Sequence, residues 1–346
     1  MASQEQVRLC FDPVESEIDP PATQMSAAVR IGDTLIAASD EGGALEILQP
    51  KQDEWHQVAR IHLEALIRLP SDSDVEIDIE GLAVEDDWLW VVGSHALKRQ
   101  KPRGKSRQQD LGDLKIIKRD ANRFVLARLP LDRHKSGYMR PVDRDGNRRP
   151  SMVEIGKRSS TLISWLSEDP MLAPFLDIPS KENGLDIEGI AVDKEHVWLG
   201  LRGPVLRGFA VLLQLDLKAN KRDVLKARKI DGTRRFRKYL LPLGGLGVRD
   251  LELDGKDLLI LTGPTMSAPG PAQVVRWKGA TSIRGSEVVS RKELDVVLDL
   301  AAGTNTDKPE AICHWSKGRL LVLHDNPSDT RVAQNNRSLI ADLMPI

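Results

Sequence analysis

Glu80, Glu188 and Glu310 each stand two residues before the first apolar anchor of a strand-like segment, at Leu82, Ile190 and Ile312. Arg249 holds that place before Leu251 and Ala27 before Val29, so an acidic ring is incomplete. Asp78 and Asp186 lie two residues ahead of Glu80 and Glu188. A second set follows the partner strands: Asp40 and Glu41, Ser94 and His95, Arg202, then His324, Asp325 and Asn326. Carboxylates with amide oxygens are hard ligands. Glu80, Glu188, Glu310 and Asp325 are therefore the expected metal ligands, and Ca²⁺ or Mg²⁺ the expected cofactor. Such an ion would polarise an ester or phosphoryl oxygen, with His95, Glu188 and Arg202 as the catalytic groups and His95 as proton carrier. Arg249, Lys98 and Arg99 would hold the anionic part of the substrate. The chemistry expected is metal-assisted hydrolysis, or anion binding, of a small anionic ester or phosphate. In the plain alternative these carboxylates accept backbone hydrogen bonds, or pair with Arg202 and Arg249, and only hold strands in register.

Converging these residues requires a repeat. Five segments, starting at Ser26, Asp78, Asp186, Gly247 and Lys308, share an apolar strand, a short Gly/Asp/Lys turn and a second apolar strand. Third strands follow at ALEIL, NRFVLARLPL, FAVLLQLDL, AQVVRW and SLIADLM. Fourth strands are expected at Ala59–Leu63, Phe175–Ile178, Tyr239–Leu241 and Val297–Leu300. The fifth segment lacks one, and Val7–Phe11 at the amino terminus is its expected partner, which removes an open sheet edge. The pattern predicts an all-β chain: one five-bladed β-propeller over 1–346, with insertions at about 98–123 and 132–174 in blade two. Ser159–Asp169 in the second insertion reads as a short helix. Six blades, or two separate β domains flanking the insertion, are the alternatives. In a propeller the starts of the first strands and the ends of the second strands share one rim, which would gather the candidate residues.

The strand starts DIEGLAV and DIEGIAV, with GSHALKR after one hairpin and LRGP after another, resemble an uncharacterised bacterial family of propeller proteins. That family is similar at a distance to the phytase-like "esterase-like" propellers. The resemblance spans about Ser26 to Asn326; it implies the fold, and a hydrolase activity more weakly.

Apolar residues make up 40% and charged residues 29% of the 346, a globular composition. The amino terminus has no signal-like apolar run and no stretch is long enough for a membrane helix, so a cytoplasmic protein with no membrane partner is expected. Two cysteines, Cys10 and Cys313, cannot make a disulfide framework or a thiolate zinc site. The net charge of −1 hides segregation: 98–158 carries +12 and 218–238 carries +8. Those basic loops are the alternative functional feature, a scaffold's surface for nucleic acid or an acidic protein. Trp90, Trp198 and Trp315 read as core between blades. Nucleophile elbow, P-loop, dinucleotide and HExxH motifs are absent from the sequence.

Overall fold

The computed structural model describes residues 5–13, 20–39, 42–71, 76–230, 234–266, 269–300, 306–333 and 337–346. Alternating apolar residues and two-residue turns make five antiparallel hairpins. Their inner strands are Met25–Ile31, Ile79–Glu85, Asp186–Asp193, Gly247–Asp254 and Lys308–Ser316. Each inner strand packs against the next in chain order, and Lys308–Ser316 packs back on Met25–Ile31, so the five close on themselves. Third strands pair outward of each hairpin, at Ala44–Lys51, Leu126–Arg133, Phe209–Ala219, Ala272–Trp277 and Ser338–Pro345. The architecture is all-β and propeller-like.

The amino-terminal strand makes the closure. Glu5–Cys10 pairs antiparallel with Ser338–Pro345 over six residues and runs parallel to Glu54–His62 through Arg8–Cys10. The first and last units thereby become one sheet. Leu9 is fully buried and Val7 and Phe11 nearly so, which anchors the strand in the core that both units share.

In the second unit the expected fourth strand at Phe175–Ile178 is not formed. Ala173–Phe175 is a 3₁₀ turn, and Pro174 and Pro179 remove backbone donors that a ladder needs. Its outer pairing comes instead from Met139–Pro141 and Ser151–Met152. The helix of the insertion is Thr161–Ser167, capped by Ser160, whose hydroxyl accepts from the Ile163 N–H; Leu162, Ile163, Trp165 and Leu166 are buried. Between the third and fourth units Trp198, Tyr239 and Trp277 pack ring on ring with centroids 5.1–5.9 Å apart. Trp90 is also buried. Trp315 is only half-buried; it packs at a tilt against Trp55, centroids 4.8 Å apart, with the Arg30 guanidinium 4.4 Å from its ring. Among the described residues no helix is long and apolar enough to cross a membrane.

Candidate functional site

One irregularity recurs in every inner strand and builds the site. Each hairpin ladder skips one residue near its start: Ser26, Glu80, Glu188, Arg249 and Glu310. A bulge leaves its extra residue outside the ladder and re-aims the side chain. The four charged positions expected from spacing are therefore the bulged residues. In the first unit the equivalent is Ser26, not Ala27; the first anchor had been placed one residue late. Ser26 Oγ donates to the carbonyls of Ile79, at 2.6 Å, and Ala38, at 3.2 Å.

The Gly after the Glu in DIEG follows from the same geometry. A Cβ on Gly81 would stand 2.9 Å from Ile190 Cγ2, and one on Gly189 would stand 2.9 Å from Leu251 Cγ. Each glycine lets the next inner strand approach. In the fourth unit that place is Asp250, which instead bonds across the gap, accepting from Ile312 N–H at 2.8 Å and from its neighbour Leu251 N–H at 2.7 Å.

At the bulged ends lies a cavity of about 400 Å³. Glu80, Asp186, Arg202, Arg249, Glu310 and Asp325 line it, together with Asp78, Glu76 and Arg123. Three arginines bridge acids across it. Arg123 meets Glu76 at 2.6 Å and Asp78 at 2.8 Å. Arg202 contacts Asp186 and lies 2.6 Å from Glu188. Arg249 lies 3.1 Å from Glu188 and contacts Glu310. Burial would raise Glu76, but Arg123 and hydrogen bonds from Asp78, Arg123 and Lys98 hold it at about 2. Burial pushes Asp78 well above the carboxylate range, with Arg123 opposing. Glu188 is raised to about 7, because its burial outweighs the two guanidiniums beside it.

The segment from Lys98 lies at the mouth of the cavity. Lys98–Arg99 pairs with Ile117–Lys118, with the helix Arg107–Asp113 between them, and Lys98 to Pro102 line the cavity. Lys98 is 3.0 Å from Glu76, and Arg99 makes a two-pronged contact with Glu182. All three residues expected to hold substrate, Lys98, Arg99 and Arg249, are thus engaged by acids. Lys101, from the basic segment, and Lys181 and Lys308, which sequence reasoning passed over, line the cavity with no carboxylate within 4.0 Å among the described residues. Glu76 had a signal, since 76, 78 and 80 alternate as acids in EIDIE; Arg123, near the start of the third strand, had none.

His95 does not reach the cavity. Its backbone has φ of +56°, Nδ1 sits 2.8 Å from the Gly93 carbonyl, and the ring lies against Phe124 at 5.8 Å, fully enclosed. It is not placed to carry protons for a ligand in the cavity. Burial lowers it to about 4, the Gly93 bond opposing, and burial with Arg331 lowers His324 to about 4. The unfolded imidazole takes its proton near 6.5, the folded one not until about 4. Stability is therefore complete above pH 6.5 and falls as pH drops toward 4, by on the order of 2–3 kcal/mol for each histidine. In denaturant titrations the His95→Gln variant should lose part of this decline; an unchanged slope between pH 6.5 and 4 would remove His95 as its source.

Of the four expected metal ligands, Glu80 and Glu188 come together, with Asp186 as a third; one oxygen from each lies within 4.8 Å of the others. Glu310 and Asp325 line the cavity outside that group, and Asp40 and Glu41 lie outside the described residues. Arg202 already contacts two of the three acids, placing a guanidinium where a cation would need to stand. The trio does not fit a resident Ca²⁺ or Mg²⁺ while that arginine is in place. Part of the second basic run is paired internally: Lys226 ends on Glu154, Arg228 on Glu195, Arg237 on Asp216 and Lys238 on Asp169.

No curated protein matches the chain. Solved structures similar to it include the glutaminyl cyclase of Myxococcus xanthus, 9% identical over 99% of both chains with a TM-score of 0.40. Another is the PQQ-bound aldose sugar dehydrogenase of Streptomyces coelicolor, 9% identical over 98% of both chains, also at 0.40. Neither likeness is strong enough to transfer an activity, and the phytase-like resemblance finds no counterpart among these neighbours. By contrast, a family match runs over residues 24–342, nearly the whole repeat, and the chain belongs to that family, described as "Protein of unknown function (DUF3616)".

Proposed function

We propose that the ring is a five-bladed propeller whose mouth binds a small anionic ligand, a phosphate or carboxylate ester. The blade count rests on the five inner strands that close on themselves and on the amino-terminal strand that completes the fifth sheet. The observation that carries the ligand class is the lysine layer. Behind it, arginines and acids neutralise one another; in front, Lys101, Lys181 and Lys308 have no carboxylate within 4.0 Å among the described residues. Desolvation, then the charges of Arg202, Lys101 and Lys98, lower the Lys181 ammonium, which is a positive field that a bound anion relieves. Glu188, at about 7, would supply the proton-transfer group of a hydrolase-like step near neutral pH, standing within 4.8 Å of Glu80, which lines the cavity.

Thermal melting of the full chain tests the binding half. Phosphate should raise the melting temperature above a chloride control of equal ionic strength, by mass action on the folded state. The Lys101→Ala/Lys181→Ala variant should lose that rise and melt normally without ligand, since neither lysine is ion-paired. Ca²⁺ and Mg²⁺ should leave the melting temperature unchanged. A protein indifferent to phosphate, sulfate and small carboxylates would end the proposal. For the chemical step, Glu188→Gln should keep phosphate binding and lose any turnover of an aryl phosphate or aryl ester.

A further inference from the structure

The seam where the ring closes holds a second constellation, away from the mouth. The strand Glu5–Cys10 runs parallel to Glu54–His62, with Arg8 paired to Glu54 and Cys10 paired to His56. Registered residues of neighbouring strands point to the same face, as do residues two apart. Cys10, Glu54 and His56 therefore project together from one side of the sheet. Each offers one ligand atom within 4.8 Å of the others. Glu54 Oε2 lies 3.6 Å from Cys10 Sγ and 3.2 Å from His56 Nε2.

Those separations are close to the edges of a zinc tetrahedron. With Zn–S of about 2.3 Å and Zn–N and Zn–O of about 2.0 Å, sulfur and oxygen ligands stand about 3.5 Å apart, nitrogen and oxygen about 3.3 Å. We propose that Cys10, Glu54 and His56 form a binding site for a zinc-class divalent ion, bridging the closing strand to the first unit. The donor set of thiolate, imidazole and carboxylate is the mixture that borderline ions prefer.

Arg8 completes the arrangement. It lies 3.2 Å from the other carboxylate oxygen, Oε1, and so orients Glu54 while leaving Oε2 for the ion. Three protein ligands leave a fourth position, and the side chains of Glu54 and His56 are each 37% exposed, so water can fill it. Without metal the thiol keeps its proton: burial and Glu54 push Cys10 up to about 11. On binding, the sulfur gives that proton to solvent and its electron pair to the ion; nothing is oxidised or reduced. Cysteine count alone excluded an all-thiolate site, and a mixed site depends on which strands meet.

Cobalt is the probe. The full chain, stripped with chelator and titrated with Co²⁺, should show a thiolate-to-cobalt charge-transfer band that saturates at one equivalent and is displaced by Zn²⁺. Cys10→Ser should abolish the band. His56→Asn, which keeps the thiol, should weaken Co²⁺ binding at least 10-fold. The same Zn²⁺ should raise the melting temperature of the wild-type chain and leave that of Cys10→Ser unmoved. Absence of a charge-transfer band in wild type, or a band that survives Cys10→Ser, would overturn the site. Phosphate binding at the mouth is independent of either result.

Discussion

Replacing Arg202 with methionine destabilises the folded chain by about 3–5 kcal/mol at neutral pH, an effect read from urea midpoints. Among the described residues Arg202 is the one cation that contacts both Asp186 and Glu188, and those acids are almost fully buried. Methionine approximates the volume of the arginine stem, so the loss is electrostatic: Glu188 keeps only Arg249, and Asp186 loses the guanidinium in contact with it. Glu188 already titrates at about 7, and without Arg202 it rises further. A folded-state value above the unfolded one means that the folded protein takes up the proton first. Stability of the variant therefore increases as pH falls from 7 toward 5, and its deficit against wild type narrows. Adding Glu188→Gln should recover part of the loss, because the two positions are in contact and their effects are not additive. A deficit below about 1 kcal/mol, equal at both pH values, would show that the buried pair contributes little.

The second large effect concerns closure. A chain that starts at Pro13 should give no stable monomer. Deletion removes Val7, Leu9 and Phe11, all buried, each contributing about 1.5–3 kcal/mol of apolar burial. The total of about 5–9 kcal/mol is comparable with the whole stability of an ordinary domain. It also bares two sheet edges at once, along Ser338–Pro345 and along Glu54–His62. Unpaired edges associate, so the truncated chain should elute as oligomer or aggregate in size exclusion. A synthetic peptide of residues 5–12, refolded with it, should restore some monomer by strand addition. A truncated chain that stays monomeric with an unchanged melting temperature would show that the amino-terminal strand is not what closes the ring.

Much of the fold was legible because its signals are local. Alternating apolar residues and two-residue turns specify hairpins whatever surrounds them, and five copies of one pattern imply stacking. The need to cover a last sheet edge pointed to VRLCF near residue 10, and the strand formed there. The charged positions before each anchor were also visible, since in four units a bulge stands six residues before the turn and in the fifth, seven. The outer strand at Phe175–Ile178 was misread because apolar content outweighed two prolines in a short window.

Amino-acid order by itself determined the repeat, the closing strand and the charged residues at the inner-strand starts. Tertiary structure decided what those residues do. Arg123 comes from the 3₁₀ turn ahead of the third strand of its unit yet neutralises Glu76 and Asp78 just before the inner strand. His95, two residues from a tight strand exit, turns inward against Phe124 instead of facing ligand. Cys10 meets His56 only because strands 46 positions apart run parallel at the seam. The reason is physical. Hairpin propensity is written in neighbouring residues, whereas charge state and ligation depend on burial and on partners from other units, which only the closed ring brings within reach.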